Sequence, residues 1–239
     1  MWTRACIKQE AKDVLSLCYW RSFLVSLIIA FAGGGSGGGP RWTSESGSPM
    51  TEEMARLIIT IIIIVVIVLS LLRVFVGYML EVGGRKFYIQ AATEDINLNY
   101  LGFVFKKDKY INVLKCMFLR SIYLILWTLL LIIPGIIKGY AYIFVPYILA
   151  DNPNIEPNRA IELSNAMTEG HKLDMWILDL SFLGWAILAA IPFGLGIPFL
   201  MPYIDATYTQ LYLSRRKDAI EYYLTTTEEL NIEASINQI

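Results

Sequence analysis

Four ionisable residues interrupt otherwise apolar stretches of this chain: Arg73, Arg120, Asp179 and Asp205. A charge inside a bilayer-spanning stretch is costly, and it persists where it meets a partner or a wet cavity. With two positive and two negative groups, two readings are open. In the first, Arg73 or Arg120 pairs with Asp179 or Asp205 in salt bridges that pin a helical bundle. In the second, the four line a polar vestibule facing the inner leaflet, with the arginines as anion contacts and the aspartates as counter-charges or proton carriers. Either arginine is also long enough to snorkel to an interface unaided.

Other chemistry is sparse. His171 is the only histidine, so no HExxH or multi-histidine metal site exists, and Cys6, Cys18 and Cys116 form no CxxC pair. Glu169, His171 and Asp174 are close enough in sequence to bind a metal or shuttle a proton, but two carboxylates and one imidazole do not define a metal geometry. A boundary-segment histidine serves equally as a cap. The run GGGSGGG lacks the following GK[ST] and the preceding strand of a phosphate-cradling loop. No serine or cysteine nucleophile stands beside a base. We therefore expect no enzyme activity, no metal and no cofactor.

The elements that must position these charges follow from composition. The 239 residues are 56% hydrophobic and 17% charged, with a mean hydropathy of +0.51. Soluble domains run at about 45–50% apolar and about 25% charged, so the expectation is an all-α polytopic membrane bundle. A bilayer core about 30 Å thick takes about 20 helical residues. Leu57 to Leu80 is 24 residues long with the single charge Arg73. Ile111 to Ala150 is 40 residues long and interrupted at Pro134-Gly135, which predicts a hairpin. Leu173 to Ser214 repeats that arrangement over 42 residues, interrupted around Pro192. With a first helix ending near Ala32, the count is six spans, at approximately 15–32, 57–80, 114–133, 135–150, 173–191 and 194–214. Roughly 20 charged, amphipathic residues precede the first apolar run, which is unlike a cleaved signal peptide. Counted from their inner ends, the four intramembrane charges sit about 9–14 Å deep, all toward one leaflet.

Positive charge resists translocation and so sets orientation. With both termini cytoplasmic, sixteen of the 20 Lys and Arg fall on inner segments, against Arg41, Arg56 and Lys138 outside. The Gly- and Ser-rich segment 33–56 then becomes a flexible extracytoplasmic loop. Residues 218–239, with five acids and no Lys or Arg, read as a solvated acidic cytoplasmic tail. Three inner segments look interfacial. Trp2 to Trp20 spaces Arg4, Lys8 and Lys12 at i, i+4 steps, and serves as an anionic-lipid anchor or a topology-setting lead-in. Gly84 to Tyr110 interleaves Arg85, Lys86, Lys106, Lys107 and Lys109 with aromatics, a pattern suited to headgroups; the absence of a global basic surplus speaks against nucleic acid. Glu156 to Lys172 should be an amphipathic inner helix.

Prolines add a possible broken-helix signature, with Pro134, Gly135, Pro146, Pro192 and Pro202 as candidate helix breaks. Ile133-Pro134-Gly135 before Val145-Pro146-Tyr147-Ile148 resembles Ile191-Pro192-Phe193-Gly194 before Met201-Pro202-Tyr203-Ile204, with Pro-to-Pro spacings of 12 and 10. A parallel repeat of hairpins, with Pro146 and Pro202 each freeing a carbonyl, would suit a transporter; kinks that serve packing are the commoner explanation.

Several segments also match a known family. Tyr19-Trp20-Arg21-Ser22-Phe23-Leu24-Val25-Ser26-Leu27, Val145-Pro146-Tyr147-Ile148-Leu149-Ala150-Asp151-Asn152-Pro153, Ser164 to Lys172, and Asp179-Leu180-Ser181-Phe182-Leu183-Gly184-Trp185 resemble the bacterial membrane proteins grouped as domain of unknown function 975. The resemblance covers roughly residues 1 to 217. It implies a multi-pass bacterial plasma-membrane protein and no established activity. A fainter likeness in hairpin organisation is to the membrane domain of some glycerophosphodiester phosphodiesterases, whose catalytic domain this chain lacks. The functional expectation is a protein that binds or moves a small amphiphile or lipid headgroup, with membrane lipids as partners. The alternative is a structural or regulatory subunit of another membrane protein.

Overall fold

The computed structural model describes residues 4–33, 52–190 and 196–232. All regular structure among them is helical. The helices are α1 (Arg4–Gly33), α2 (Glu52–Leu72), α3 (Tyr78–Ala91), α4 (Lys107–Leu130), α5 (Ile132–Ala141), α6 (Val145–Asp151), α7 (Pro157–Thr168), α8 (Lys172–Ala190) and α9 (Ile197–Glu221). A π-turn over Arg73–Gly77 joins α2 to α3, and a 3₁₀ segment over Leu98–Phe105 precedes α4.

Four stretches are long and apolar enough to cross a membrane: Arg56–Ala91, Asp108–Leu130, Ile132–Asp151 and Lys172–Ala190. The expected spans 15–32 and 194–214 are not among them. In α9 the reason is a file of tyrosines, threonines and charged residues along the helix, which lowers its hydropathy. Instead α9 packs lengthwise against α1.

Apolar exposure divides the molecule. The described side chains of α2 are exposed from Met54 to Leu72, as are Ile125, Leu126 and Leu129 to Ile133 at the α4–α5 turn and Leu183, Trp185, Ile187 and Leu188 in α8. Among the described residues nothing covers these Ile, Val and Leu side chains, an apolar surface of the kind that meets lipid or another protein. The other half has a dense core, in which Met79, Val82, Val113, Met117, Phe144, Tyr147, Ile148, Leu163 and Met167 are all but inaccessible.

That core overturns several local expectations. Gly84 to Tyr110 is not interfacial throughout: α3 continues to Ala91, with Phe87 and Tyr88 buried against α1. Gly83 permits this, because a Cβ there would lie 2.3 Å from the Leu101 carbonyl oxygen. The N-terminal lead-in is the start of one long α1, and Ala11 and Leu15 face Phe87 and Ala206 rather than headgroups. The helix expected over Glu156 to Lys172 is present as α7, amphipathic, with Ala160, Ile161, Leu163 and Met167 turned into the core.

The prolines behave unequally. Pro134 sits in the first turn of α5, after Leu131 breaks the chain in extended conformation. Gly135 serves close packing of the hairpin, since a Cβ would meet the Thr128 Oγ1 at 2.6 Å. Pro146 opens α6 instead of kinking a span, where its missing N–H costs nothing. The break before it is closed by α7: the Ser164 hydroxyl donates to the Ala141 carbonyl (2.8 Å) and accepts from the Phe144 N–H (3.2 Å). Pro202 lies inside a continuous α9, so it has no counterpart of the α5–α6 break and the proposed hairpin repeat does not extend to it. Pro192 and the glycine-rich run lie outside the described residues.

The acidic C-terminal stretch is not solvated throughout. After α9 it turns back, buries Thr225, Leu230 and Ile232, and bonds α7 through Arg159 and Glu229.

Candidate functional site

Helix α9 presents Asp205, Tyr208, Tyr212 and Arg216 at successive steps of three, four and four, which puts them on one face. Helix α3 places Glu81 and Arg85 one turn apart, with Lys86 and Tyr88 beyond. Helix α6 supplies Tyr147 and Asp151, and α1 supplies Ser22 and Ser26, also one turn apart. Where these faces meet, a chain of charges and hydroxyls runs through the protein.

At its centre the Arg85 guanidinium donates to Asp205 Oδ1 at 2.6 Å and lies over the Tyr147 ring at 5.0 Å. The other carboxylate oxygen accepts from the buried Ser26 hydroxyl at 2.5 Å. Ser26 also touches the Tyr88 hydroxyl, which donates to the Ser22 carbonyl at 2.9 Å. To one side, Arg120 approaches Glu81 at 3.4 Å. To the other, Tyr147 stacks on Tyr212 with centroids 5.1 Å apart. Tyr212 then donates to Asp151 Oδ2 at 2.7 Å, and Arg216 reaches the same oxygen at 2.8 Å. Lys86 stands 3.9 Å from Asp151 Oδ1. Nearby, Asp179 is held without a cation: Tyr208 donates to Oδ1 at 2.5 Å and Tyr140 to Oδ2 at 2.6 Å.

Ionic hydrogen bonds of this kind contribute roughly 1.5–3 kcal/mol each, chiefly because the unpaired buried alternative is so unfavourable. Among the described residues, three buried side-chain atoms nonetheless lack a hydrogen-bond partner: Arg85 Nε, Arg120 Nε and Asp151 Oδ1. In a closed core such groups are rare.

The four charges singled out from the sequence are therefore not one cluster. Asp205 pairs with Arg85, Arg120 with Glu81, and Asp179 with two tyrosines, so no bridge joins Arg73 or Arg120 to either aspartate. Arg73 is exposed on the π-turn, away from the network. The expected pairings fail because Glu81, Arg85 and Lys86 belong to a helix that enters the core, where they reach the charges first. Sequence reasoning did not single out Arg85, Lys86, Asp151 and Arg216 as site residues because they lie beyond the assigned spans, nor Tyr212, which lies within one but carries no charge. The spacing of Asp205, Tyr208, Tyr212 and Arg216 was the available signal.

His171 Nδ1 lies 3.4 Å from Asp174 at the start of α8, and Glu169 is exposed. Among the described residues no group of three or more His, Cys, Asp or Glu is placed to hold a metal.

Residues 128–219 match the model of a family described as protein of unknown function, DUF975. The segments at Val145–Pro153, Ser164–Lys172 and Asp179–Trp185 fall inside that match, and the N-terminal segment falls outside it. Neither a curated protein nor a solved structure matches the chain.

Proposed function

We propose a non-catalytic plasma-membrane protein that binds or passes a small amphiphile or lipid headgroup at its inner leaflet, from its exposed membrane-length apolar helices and the charged network beside them. The proposal has six spans and both termini cytoplasmic; α1 and α9 complete the bundle as a polar pair shielded by the more apolar helices. The distribution of Lys and Arg supports the orientation.

The observation that carries the ligand reading is the pair of guanidinium groups flanking Glu81. Arg85 and Arg120 each keep a buried Nε–H with no acceptor among the described residues, beside the Glu81 and Asp205 carboxylates that their other nitrogens contact. Donors left over in such a setting suit an anionic or carbonyl oxygen from a bound molecule. This reading moves the anion contact from Arg73 to Arg85, retains Arg120, and keeps Asp205 and Asp179 as counter-charge and proton carrier. Arg73 snorkels.

Native mass spectrometry of protein extracted with its surrounding lipid tests this. A discrete amphiphile should accompany wild type and be lost from Asp179→Asn and from Arg85→Lys, which keeps a cation opposite Asp205, while both variants stay folded. Identical lipid complements in all three would sink it.

A second reading, a subunit that docks another membrane protein, is favoured by α2, whose described side chains are uncovered all round. A stoichiometric second polypeptide in the same spectra would support it.

A further inference from the structure

The other acids of the network each meet a cation: Asp205 meets Arg85, Glu81 meets Arg120 and Asp151 meets Arg216. The exception is Asp179, whose two oxygens each accept one tyrosine hydroxyl, Tyr140 from α5 and Tyr208 from α9. Among the described residues no basic side chain is in ion-pairing contact with it. The lysine that α8 does meet, Lys8 of α1, donates to the Ser181 hydroxyl at 2.7 Å and lies over the Phe182 ring at 4.5 Å. A carboxylate offers about four acceptor positions, of which two are taken here. Each tyrosine has given its one proton and keeps lone pairs on its oxygen. What remains is a single negative charge with only acceptors left over, on an apolar helix of membrane length, where such a charge calls for a partner. The cluster is also within reach from outside. Asp179 and Tyr140 are half-buried, and within about one turn of them along α8 and α5 the side chains of Trp176, Leu180, Leu183, Ile136 and Ile137 are exposed. Apolar surface for acyl chains thus surrounds a polar site that lacks a donor-rich cation.

We infer that Asp179, Tyr140 and Tyr208 hold the primary ammonium group of an amine-bearing lipid, such as one with an ethanolamine headgroup. The inference rests on the amphiphile-binding reading and gives Asp179 the cationic group of the ligand in place of a proton. A primary ammonium brings three N–H donors and no acceptor, the complement of what the cluster leaves open. Its hydrogen bond to the carboxylate is charge-assisted, and the tyrosine oxygens accept the remaining protons. A quaternary ammonium brings the charge without the donors.

The test uses the full chain in detergent, with phosphatidylethanolamine, phosphatidylcholine and phosphatidylglycerol of matched acyl chains as probes, read by native mass spectrometry. Wild type should retain phosphatidylethanolamine in preference to the other two, since phosphatidylcholine has the cation without N–H donors and phosphatidylglycerol has no cation. Asp179→Asn should weaken phosphatidylethanolamine retention by roughly tenfold or more, the expected effect of one charge-assisted hydrogen bond, and remove the preference. Tyr140→Phe keeps the ring and the carboxylate but deletes one acceptor, so it should narrow the preference over phosphatidylcholine. It decides the matter if Asp179→Asn melts early, and an unchanged preference in Tyr140→Phe would then overturn the inference. A preference that survives in a folded Asp179→Asn would also overturn it. Equal weakening by Asp174→Asn, at an exposed acid of α8, would reduce the effect to diffuse surface charge and overturn it as well. Equal retention of all three lipids by wild type, lost in Arg85→Lys, would overturn it and leave the amphiphile reading standing. Retention of none of them by wild type would overturn both.

Discussion

At the scale of the residue, the Arg85–Asp205 pair shows how unequal the loss of either partner and the loss of both should be. Asp205→Asn leaves a guanidinium charge in a largely buried setting with Glu81 as its nearest remaining acid, and should cost about 3–5 kcal/mol of stability. Replacing both partners by apolar residues of similar size should cost less than either single change, since no unpaired charge remains. Denaturant titration of the two single variants and the double variant in micelles measures this, and additive losses would contradict it. Ser164 is a second case in which one side chain serves two backbone groups. Ser164→Ala leaves the Ala141 carbonyl and the Phe144 N–H unbonded at the α5–α6 break, and should cost about 1–3 kcal/mol. Hydrogen exchange at Phe144 should accelerate with it.

Elements meet closely at only a few points, and those points set how the helices are arranged. Helix α3 lies against the 98–105 turn because Gly83 has no Cβ, and the atoms that one would strike belong to Leu101 backbone, which cannot rotate away. Gly83→Ala should therefore separate the two elements and destabilise by about 1–3 kcal/mol or more. Gly102→Ala, where a Cβ would meet open space, should be close to neutral and serves as the control. The π-turn between α2 and α3 has a similar fastening, as the Tyr110 hydroxyl donates to the Phe75 carbonyl at 2.7 Å. It joins a helix whose described side chains are exposed to one buried on most sides.

At the scale of the whole molecule, the chain end is tied back to the body. Arg159 on α7 grips Glu229 through Nε (2.7 Å) and Nη2 (3.1 Å), and also donates to the Leu224 carbonyl. Asn152, one residue beyond Asp151, donates to the Glu229 carbonyl at 2.8 Å, so the clasp lies next to the Asp151 end of the network. The hydrogen bonds from Arg159, with those from Thr225 and the backbone near Thr226, hold the Glu229 carboxyl below its ordinary value of 4.5. A depressed carboxylate stabilises the folded state above its unfolded value, and the contribution disappears as pH falls through the folded value. The segment 222–232 should therefore resist proteolysis at neutral pH and open as the pH falls below the ordinary carboxylate range. Glu229→Gln and Arg159→Gln should leave it open throughout, and a clasp equally closed in acid would rule this out.

The sequence by itself determined what depends on composition and on single residues: an all-helical chain, membrane-length apolar helices, a hairpin turn beside Pro134, and α7 with one apolar face. These follow from local rules, because helix length, hydropathy and proline geometry do not depend on neighbours. Burial and partnership do depend on them. Lys86 and Arg85 look like ordinary inner-loop basics until α3 is seen to continue into the core, and the acidic tail looks solvated until Arg159 is placed opposite Glu229. The same holds for Asp179, whose partners are two tyrosines 39 and 29 residues away in sequence. Only packing could pair such groups. The energy of a buried charge is decided by whichever opposite charge or hydroxyl arrives within about 3 Å, and that depends on how the helices come together.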